Sequence, residues 1–223
     1  MDREVECPFC WALEDGHSPC WDRLFGSGSP GDVLKIGTYF STLADTAPIV
    51  EGHLLIVSNP HIPSFAATAP PMRTELWEMK KRMVTWLAEV YQRPTLLEHG
   101  AASFARNAGS CVDHAHLHLV PAQLDLLPQL AADYPNLNRF DSHAAALDAM
   151  RGHPYLYFED VDGRCFATVA ARCPTQYLRR LSTEAARNPD RWNWRDCIRR
   201  ASFTTGIQDE VRDTVRKARR DFI

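Results

Sequence analysis

The spacing of apolar residues along the chain changes period several times. From Asp32 to Leu43 the run is rich in β-branched and aromatic residues and follows the turn cluster Gly26-Ser-Gly-Ser-Pro-Gly31, which predicts a strand. His53 to Ser58 is a short apolar run bounded by Gly52 and Pro60, too short for a helix and suited to a buried strand. Between Pro71 and Gln92 the period lengthens. Leu76, Met79, Met83, Leu87 and Val90 recur at three- and four-residue steps, while Glu75, Glu78, Lys81, Arg82 and Glu89 fill the other side, so this is the main amphipathic helix. Thr95 to Glu98 and His114 to Val120 read as two more strands, joined by a loop with Gly100, Asn107 and Gly109. Residues 123 to 150 carry a weaker helical pattern. A hairpin follows, Tyr155 to Glu159 and Arg164 to Val169, turned at Asp160-Val-Asp-Gly163. From Thr175 onward the chain is arginine-rich and reads as helical, with Trp192-Asn-Trp194 able to pack it back on the body. Strands, a helix, then strands predict an α+β fold with a mostly antiparallel sheet.

Composition narrows the class. The 223 residues, 45% hydrophobic and 24% charged, suit one core plus an appendage. A formal net charge of −3 gives no overall basic balance, so no extended nucleic acid is expected. The acidic start, Met1 to Glu6, has no apolar stretch of the signal-peptide kind, and no window approaches a membrane span. These features predict a cytoplasmic protein without a membrane association. Seven cysteines, an odd number without an export signal, argue against a disulfide framework. The close pair Cys7 and Cys10 then reads better as a metal clip, although C-x-x-C also serves redox proteins.

The segment His114-Ala-His-Leu-His118 sets three imidazoles at alternating positions. In a strand all three share one face, with Ala115, Leu117 and Leu119 on the other. A core has little use for three such rings, because each buried imidazole needs a hydrogen-bond partner. A polar outer face and a metal cluster are the competing readings.

With its two following apolar residues, this segment resembles the signature of the histidine-triad (HIT) family. Gly52-His-Leu-Leu-Ile-Val-Ser-Asn-Pro-His61 resembles the family's strand running into a Pro-Lys-x-His turn, with the lysine altered. The resemblance spans residues 7 to 121. It implies a HIT-like antiparallel sheet in a domain of residues 1–122, with 123–223 a C-terminal hairpin and helical extension packed on it. It also names His116 as nucleophile and His118 as the group at the phosphate oxygens near the leaving group. The chemistry agrees, since a neutral imidazole attacks phosphorus well near pH 7 and its phosphoramidate is labile to water. Asp45, eight residues before His53, matches the acidic residue that binds ribose hydroxyls. Glu98, before His99-Gly100, falls where many members carry Asn-x-Gly. Ser110 and Cys111 fall in the loop that cradles phosphate, although relatives mostly have Gln and a hydroxyl residue there. The zinc-containing branch implies a structural Zn2+ on Cys7, Cys10, His61 and His114, a closed set without a position for water.

His53 and His99, each beside a glycine, read as structural histidines or site residues. Pro174-Thr-Gln-Tyr-Leu-Arg-Arg180 puts two guanidiniums beside an amide and an aromatic, either a phosphate grip or a solvated helix face. The expected function is a nucleotidyl hydrolase releasing AMP from a phosphoramidate, acyl-phosphate or polyphosphate of a purine nucleotide. A nucleotidyltransferase is the alternative; such relatives have His-Pro-His-Gln, and His118 stands in place of that Gln. A catalytically weak, zinc-stabilised nucleotide-binding protein is the third reading. A homodimer follows from the resemblance alone.

Overall fold

The computed structural model describes residues 7–26, 31–104, 112–201 and 205–222. Two short helices come first, α1 (Pro8–Asp15) and α2 (Pro19–Phe25), each with proline in its first turn, where no intrahelical amide bond is lost. Ser18 caps α2 by accepting the Trp21 N–H at 3.1 Å.

The stretch read as one strand from Asp32 to Leu43 is a hairpin, β1 (Val33–Ile36) and β2 (Phe40–Ala44). Gly37 opens the turn, where its N–H donates to the Phe40 carbonyl. Glu75 then receives the N–H groups of Tyr39 and Phe40 at 2.9 and 3.0 Å. A side chain at position 37 would meet the same carboxylate, so this glycine is needed for close approach. β3 (Leu54–Ser58) follows, then the long helix α3 (Pro70–Val90), β4 (Thr95–Gly100) and β5 (His116–Val120).

The region read as helical from 123 to 150 is broken in two, α4 (Leu127–Asp133) and α5 (His143–Met150), by a short strand β6 (Asn138–Phe140). Backbone pairing with the next hairpin decides this, because β6 adds to the open edge of its second strand. That hairpin is β7 (Tyr155–Glu159) and β8 (Cys165–Val169). Helices α6 (Tyr177–Ala185), α7 (Trp194–Ala201) and α8 (Thr205–Phe222) complete the chain. None of the described helices is long and apolar enough to cross a membrane.

Among the described residues, all eight strands join one antiparallel sheet in the order β1-β2-β3-β5-β4-β7-β8-β6. The sheet therefore does not end with the segment that carries the histidines. β7 lies along β4 from Leu96 to Gly100, and residues 123–169 extend the same ladder. One face buries Leu54, Ile56, Leu96, Leu117 and Leu119 with Leu76, Met83 and Leu87 of α3 and with Val211 and Val215 of α8. Trp86 of α3 ties these helices together by donating to Asp221 at 2.8 Å. The other face carries Leu97, Val120, Leu156 and Phe158 under α4 and α6. Alternation along each strand thus hands successive residues to two different environments, and the histidines fall on the second.

Candidate active site and metal centre

β5 begins at His116, and His114 stands two residues earlier, its neighbour Ala115 held by the Ile62 carbonyl and the Ser58 N–H. His114, His116 and His118 project to the face opposite α3, as alternation predicts. Their surroundings differ sharply.

His114 turns toward α1. Its Nδ1 lies 3.3 Å from the sulfur of Cys7 and 3.6 Å from that of Cys10, and Cys10 is 3.1 Å from Nδ1 of His61. The four donor atoms lie within 4.8 Å of one another. Ligands of a tetrahedral zinc ion stand about 3.5 Å apart, so two sulfurs and two imidazole nitrogens fit that ion. Nε2 of His114 is 2.6 Å from the Ser58 carbonyl, which holds the proton there and leaves Nδ1 as a lone pair facing the sulfurs. Burial lowers the His114 pKa to about 4, keeping the ring neutral. Burial and the neighbouring Cys7 raise Cys10 to about 11, an environment that disfavours a thiolate until a cation enters. Phe9, between the two cysteines, packs its ring 5.1 Å from that of His116 and 5.8 Å from that of His114.

His116 is 7% exposed. Its Nδ1 lies 2.7 Å from the carbonyl oxygen of His114. A carbonyl cannot donate, so the proton sits on Nδ1 and Nε2 carries the lone pair. Burial holds the ring below its ordinary pKa, neutral at pH 7.

His118 is joined to two residues far away in sequence. Its Nδ1 is 3.1 Å from Nε2 of His53, whose Nδ1 receives the Ile49 N–H at 3.2 Å and lies 3.2 Å from Oδ2 of Asp45. Burial brings His53 down to about 4 and His118 well below the ordinary range. Burial alone would raise the Asp45 carboxyl, but the Arg179 guanidinium and the Ala47 N–H act the other way, and the carboxyl lies below its ordinary range. Arg179, from α6, places Nη1 3.3 Å from that same Oδ2.

A pocket opens beside these rings. Leu43, Leu55 and Leu97 of the sheet line its apolar wall, with Leu178 and Trp194 from the last helices. His116 and His118 stand in its floor with His99. His99 accepts the Leu178 N–H at 3.0 Å and so fastens the first turn of α6 to the sheet.

The structure brings together His116, His118 and Asp45, and separately Cys7, Cys10, His61 and His114. Asp45 comes with partners that the sequence reading did not assign. Oδ1 accepts the Ala47 N–H at 2.7 Å and Oδ2 faces Arg179 and His53, so the carboxylate expected at a ribose is occupied inside the protein. Glu98 does not join the site and must be reassigned. It points to the α3 face, 1% exposed, and receives the Phe65 N–H at 2.8 Å and the Tyr155 hydroxyl at 2.6 Å. Strand alternation puts its neighbours Leu97 and His99 toward the pocket instead. Ser110 and Cys111 lie outside the described residues.

Arg179, read in the sequence as part of a phosphate grip or a solvated helix face, is buried instead and turned to Asp45, and nothing in an amphipathic helix marks one arginine for burial. His53 and His99 stand beside glycines at strand edges in the sequence, a position that fits a structural histidine as well as a site residue.

Residues 29–124 match the family model described as HIT domain. Comparison with curated proteins yields no match. Among solved structures the chain is similar to a hypothetical histidine triad nucleotide-binding protein from Sulfolobus tokodaii strain 7, at 18% identity and a TM-score of 0.40 over 52% of this chain and 68% of that one. It is similar to a Zn-bound histidine triad family protein from Mycobacterium smegmatis, at 21% identity and a TM-score of 0.38 over 52% and 74%. It is also similar to a HIT family hydrolase from Clostridium thermocellum, at 19% identity and a TM-score of 0.37 over 56% and 96%.

Proposed function

We propose that this chain is a HIT-domain nucleotidyl hydrolase that releases a nucleoside monophosphate, AMP being the expected product, through a covalent intermediate on His116. The observation that carries the proposal is the 2.7 Å contact between His116 Nδ1 and the His114 carbonyl. It leaves Nε2 as an unprotonated nucleophile, and burial keeps the ring neutral at the working pH. Nε2 attacks phosphorus and the bond to the leaving group breaks. The phosphorylated ring is a cation whose Nδ1–H is held by that same carbonyl, which stabilises the charge as it forms. Water then attacks the phosphorus, the P–N bond breaks, and neutral His116 is restored with loss of one proton to solvent.

His118 supports both steps as a hydrogen-bond donor to phosphoryl or leaving-group oxygen. With the Ile49 N–H directed at His53 Nδ1, the proton of His53 sits on Nε2 and points at His118 Nδ1. His118 therefore carries its own proton on Nε2. The apolar wall of Leu43, Leu55 and Leu97 suits a purine base, and water exclusion there strengthens the hydrogen bonds at phosphorus.

Cys7, Cys10, His61 and His114 would hold a zinc ion. When bound, it would close a four-ligand cage with no coordination position for substrate, so its contribution is structural. Phe9, carried between the two cysteines, then keeps its ring against His116.

The test is incubation with adenosine 5′-phosphoramidate and with a diadenosine polyphosphate, comparing wild type with His116→Ala and His116→Gly. Wild type is expected to release AMP and to show an AMP-sized mass increment on a peptide containing His116. The variants are expected to lose more than about a thousandfold in kcat, as removal of a nucleophile does. Equal, slow AMP release from all three proteins would sink the proposal.

A further inference from the structure

Arg179 is buried, 7% exposed, and nearly all its donors are used. Nε donates to the carbonyl oxygens of Trp192 at 3.0 Å and Arg191 at 3.3 Å, and Nη2 donates to Arg191 O at 3.1 Å and to Ala47 O. Nη1 alone reaches a charged group, Asp45 Oδ2, at 3.3 Å. The guanidinium is thus clamped by main-chain carbonyls in one orientation, with one edge aimed at one carboxylate oxygen. Arg179 and the carbonyls of Arg191 and Trp192 lie outside the residues that match the HIT domain, while the Ala47 carbonyl lies within them.

That oxygen sits where it ought to disrupt its neighbour. Oδ2 lies 3.2 Å from His53 Nδ1, yet the Ile49 N–H also points at Nδ1 from 3.2 Å. A carboxylate beside a ring nitrogen draws the proton onto that nitrogen. If the proton moved to Nδ1, His53 would present a lone pair at Nε2, and His118, 3.1 Å away, would have to turn its own proton to Nδ1. Nε2 of His118 would then face the substrate as a lone pair, repelling phosphate oxygens instead of donating to them. No net proton is gained or lost. Two neutral rings simply exchange tautomers together.

We propose that Arg179 is a positioning residue that sets the tautomers of His53 and His118, by occupying Asp45 Oδ2 and so keeping His118 Nε2–H directed at the phosphate. It acts through Asp45 and His53 and does not itself touch the reacting atoms. The inference rests on the hydrolase reading above for its catalytic consequence, whereas the tautomer states can be read without substrate.

The experiment uses full-length protein labelled with 15N-histidine, in which long-range proton–nitrogen correlations distinguish protonated from lone-pair ring nitrogens at fixed pH. Wild type is expected to show His53 and His118 both protonated on Nε2. Arg179→Met is expected to move both to Nδ1. Arg179→Lys keeps the charge while losing the carbonyl bonds, so it should lower the melting temperature yet retain the wild-type tautomers. Arg179→Met combined with Asp45→Asn removes the charge and the need for its partner together, and should return both rings to Nε2–H. If Arg179→Met alone does not fold, Arg179→Gln makes the same test, since its amide still donates to the main-chain carbonyls without the charge; it is expected to move both rings to Nδ1, and unchanged tautomers there would overturn the inference.

Kinetics supply the second reading. Loss of the His118 donor should cost at least about tenfold more in kcat/KM on an adenylate with an alkoxide-like leaving group than on one with a nitrophenol, because the poorer group develops more charge. A wild-type His118 already protonated on Nδ1, unchanged tautomers in Arg179→Met, or equal losses on both substrates would overturn the inference. A wild type with the expected tautomers but no turnover would instead remove the hydrolase reading and leave the relay standing.

Discussion

Residues one position apart on β4 have opposite fates. Glu98 goes into the α3 core and His99 into the pocket, although sequence similarity alone places the carboxylate at the nucleotide. Burial raises the Glu98 pKa from 4.5 to about 7 against the opposing effect of hydrogen bonds from Tyr155 and Phe65. The native state therefore binds this proton more tightly than the unfolded chain. Its stabilising contribution is full below about pH 4.5 and is lost as pH rises toward and past 7. Glu98→Gln keeps an acceptor for Phe65 and a partner for Tyr155 without the charge. It should remove that part of the decline and be more stable than wild type at pH 8, by up to about 3 kcal/mol. Denaturant melts of both proteins at pH 5 and pH 8 check this, and a difference that does not grow with pH would contradict it.

At the scale of elements, α1 is short and its hold on the sheet runs through the cysteine–histidine cluster and the packing of Ala12, Phe9 and Leu13 against Leu43, Leu55 and Val57. A helix of this length has little stability of its own. If zinc closes the cluster, its binding energy is folding energy for this end of the chain. His61→Ala should then lower the melting temperature by several degrees, and a chelator should lower that of wild type while leaving the variant nearly unmoved. Because His61 does not contact the nucleophile's pocket, kcat for AMP release at low temperature should fall much less than in the His116 variants. Metal analysis of the purified protein gives the independent reading, with about one zinc per chain expected; none in a folded, unchelated sample would refute the four-ligand assignment.

Over the whole molecule, the described residues of 123–223 share the sheet and core with the rest. Tyr155 and Tyr157 of β7, Leu147 of α5 and Val211 and Val215 of α8 lie in the same cluster as Leu76, Met83 and Leu117. Arg179 reaches back to Asp45 and Thr214 to the Gly52 N–H at 3.0 Å. A chain ending at residue 122 would expose the β4 edge and strip the apolar core of these partners, so it should be insoluble or lose most of its stability. Recovery of a soluble truncated protein with a cooperative melt near that of the full chain would contradict this and support an independent domain of residues 1–122. The same geometry bears on the expected homodimer: β7 already takes the hydrogen bonds of the β4 edge, so two copies cannot pair there while β7 is in place.

The α+β class, the long helix, the β7–β8 hairpin and the alternating histidines are legible in the chain read in order, because each is a local periodicity written in consecutive residues. The sequence also brought Cys7, Cys10, His61 and His114 into view as a set through resemblance, and the fold then placed their donor atoms together. Which neighbour each group meets, by contrast, emerges only in the folded chain. Gly37 turns one apparent strand into two because Glu75 from α3 receives the turn's amides. β6 forms because β8 offers an open edge. Asp45 meets an arginine 134 positions away. Such pairings depend on contacts between residues that share no local pattern, and a chain read in order shows a side chain's type but not the charge that will stand opposite it.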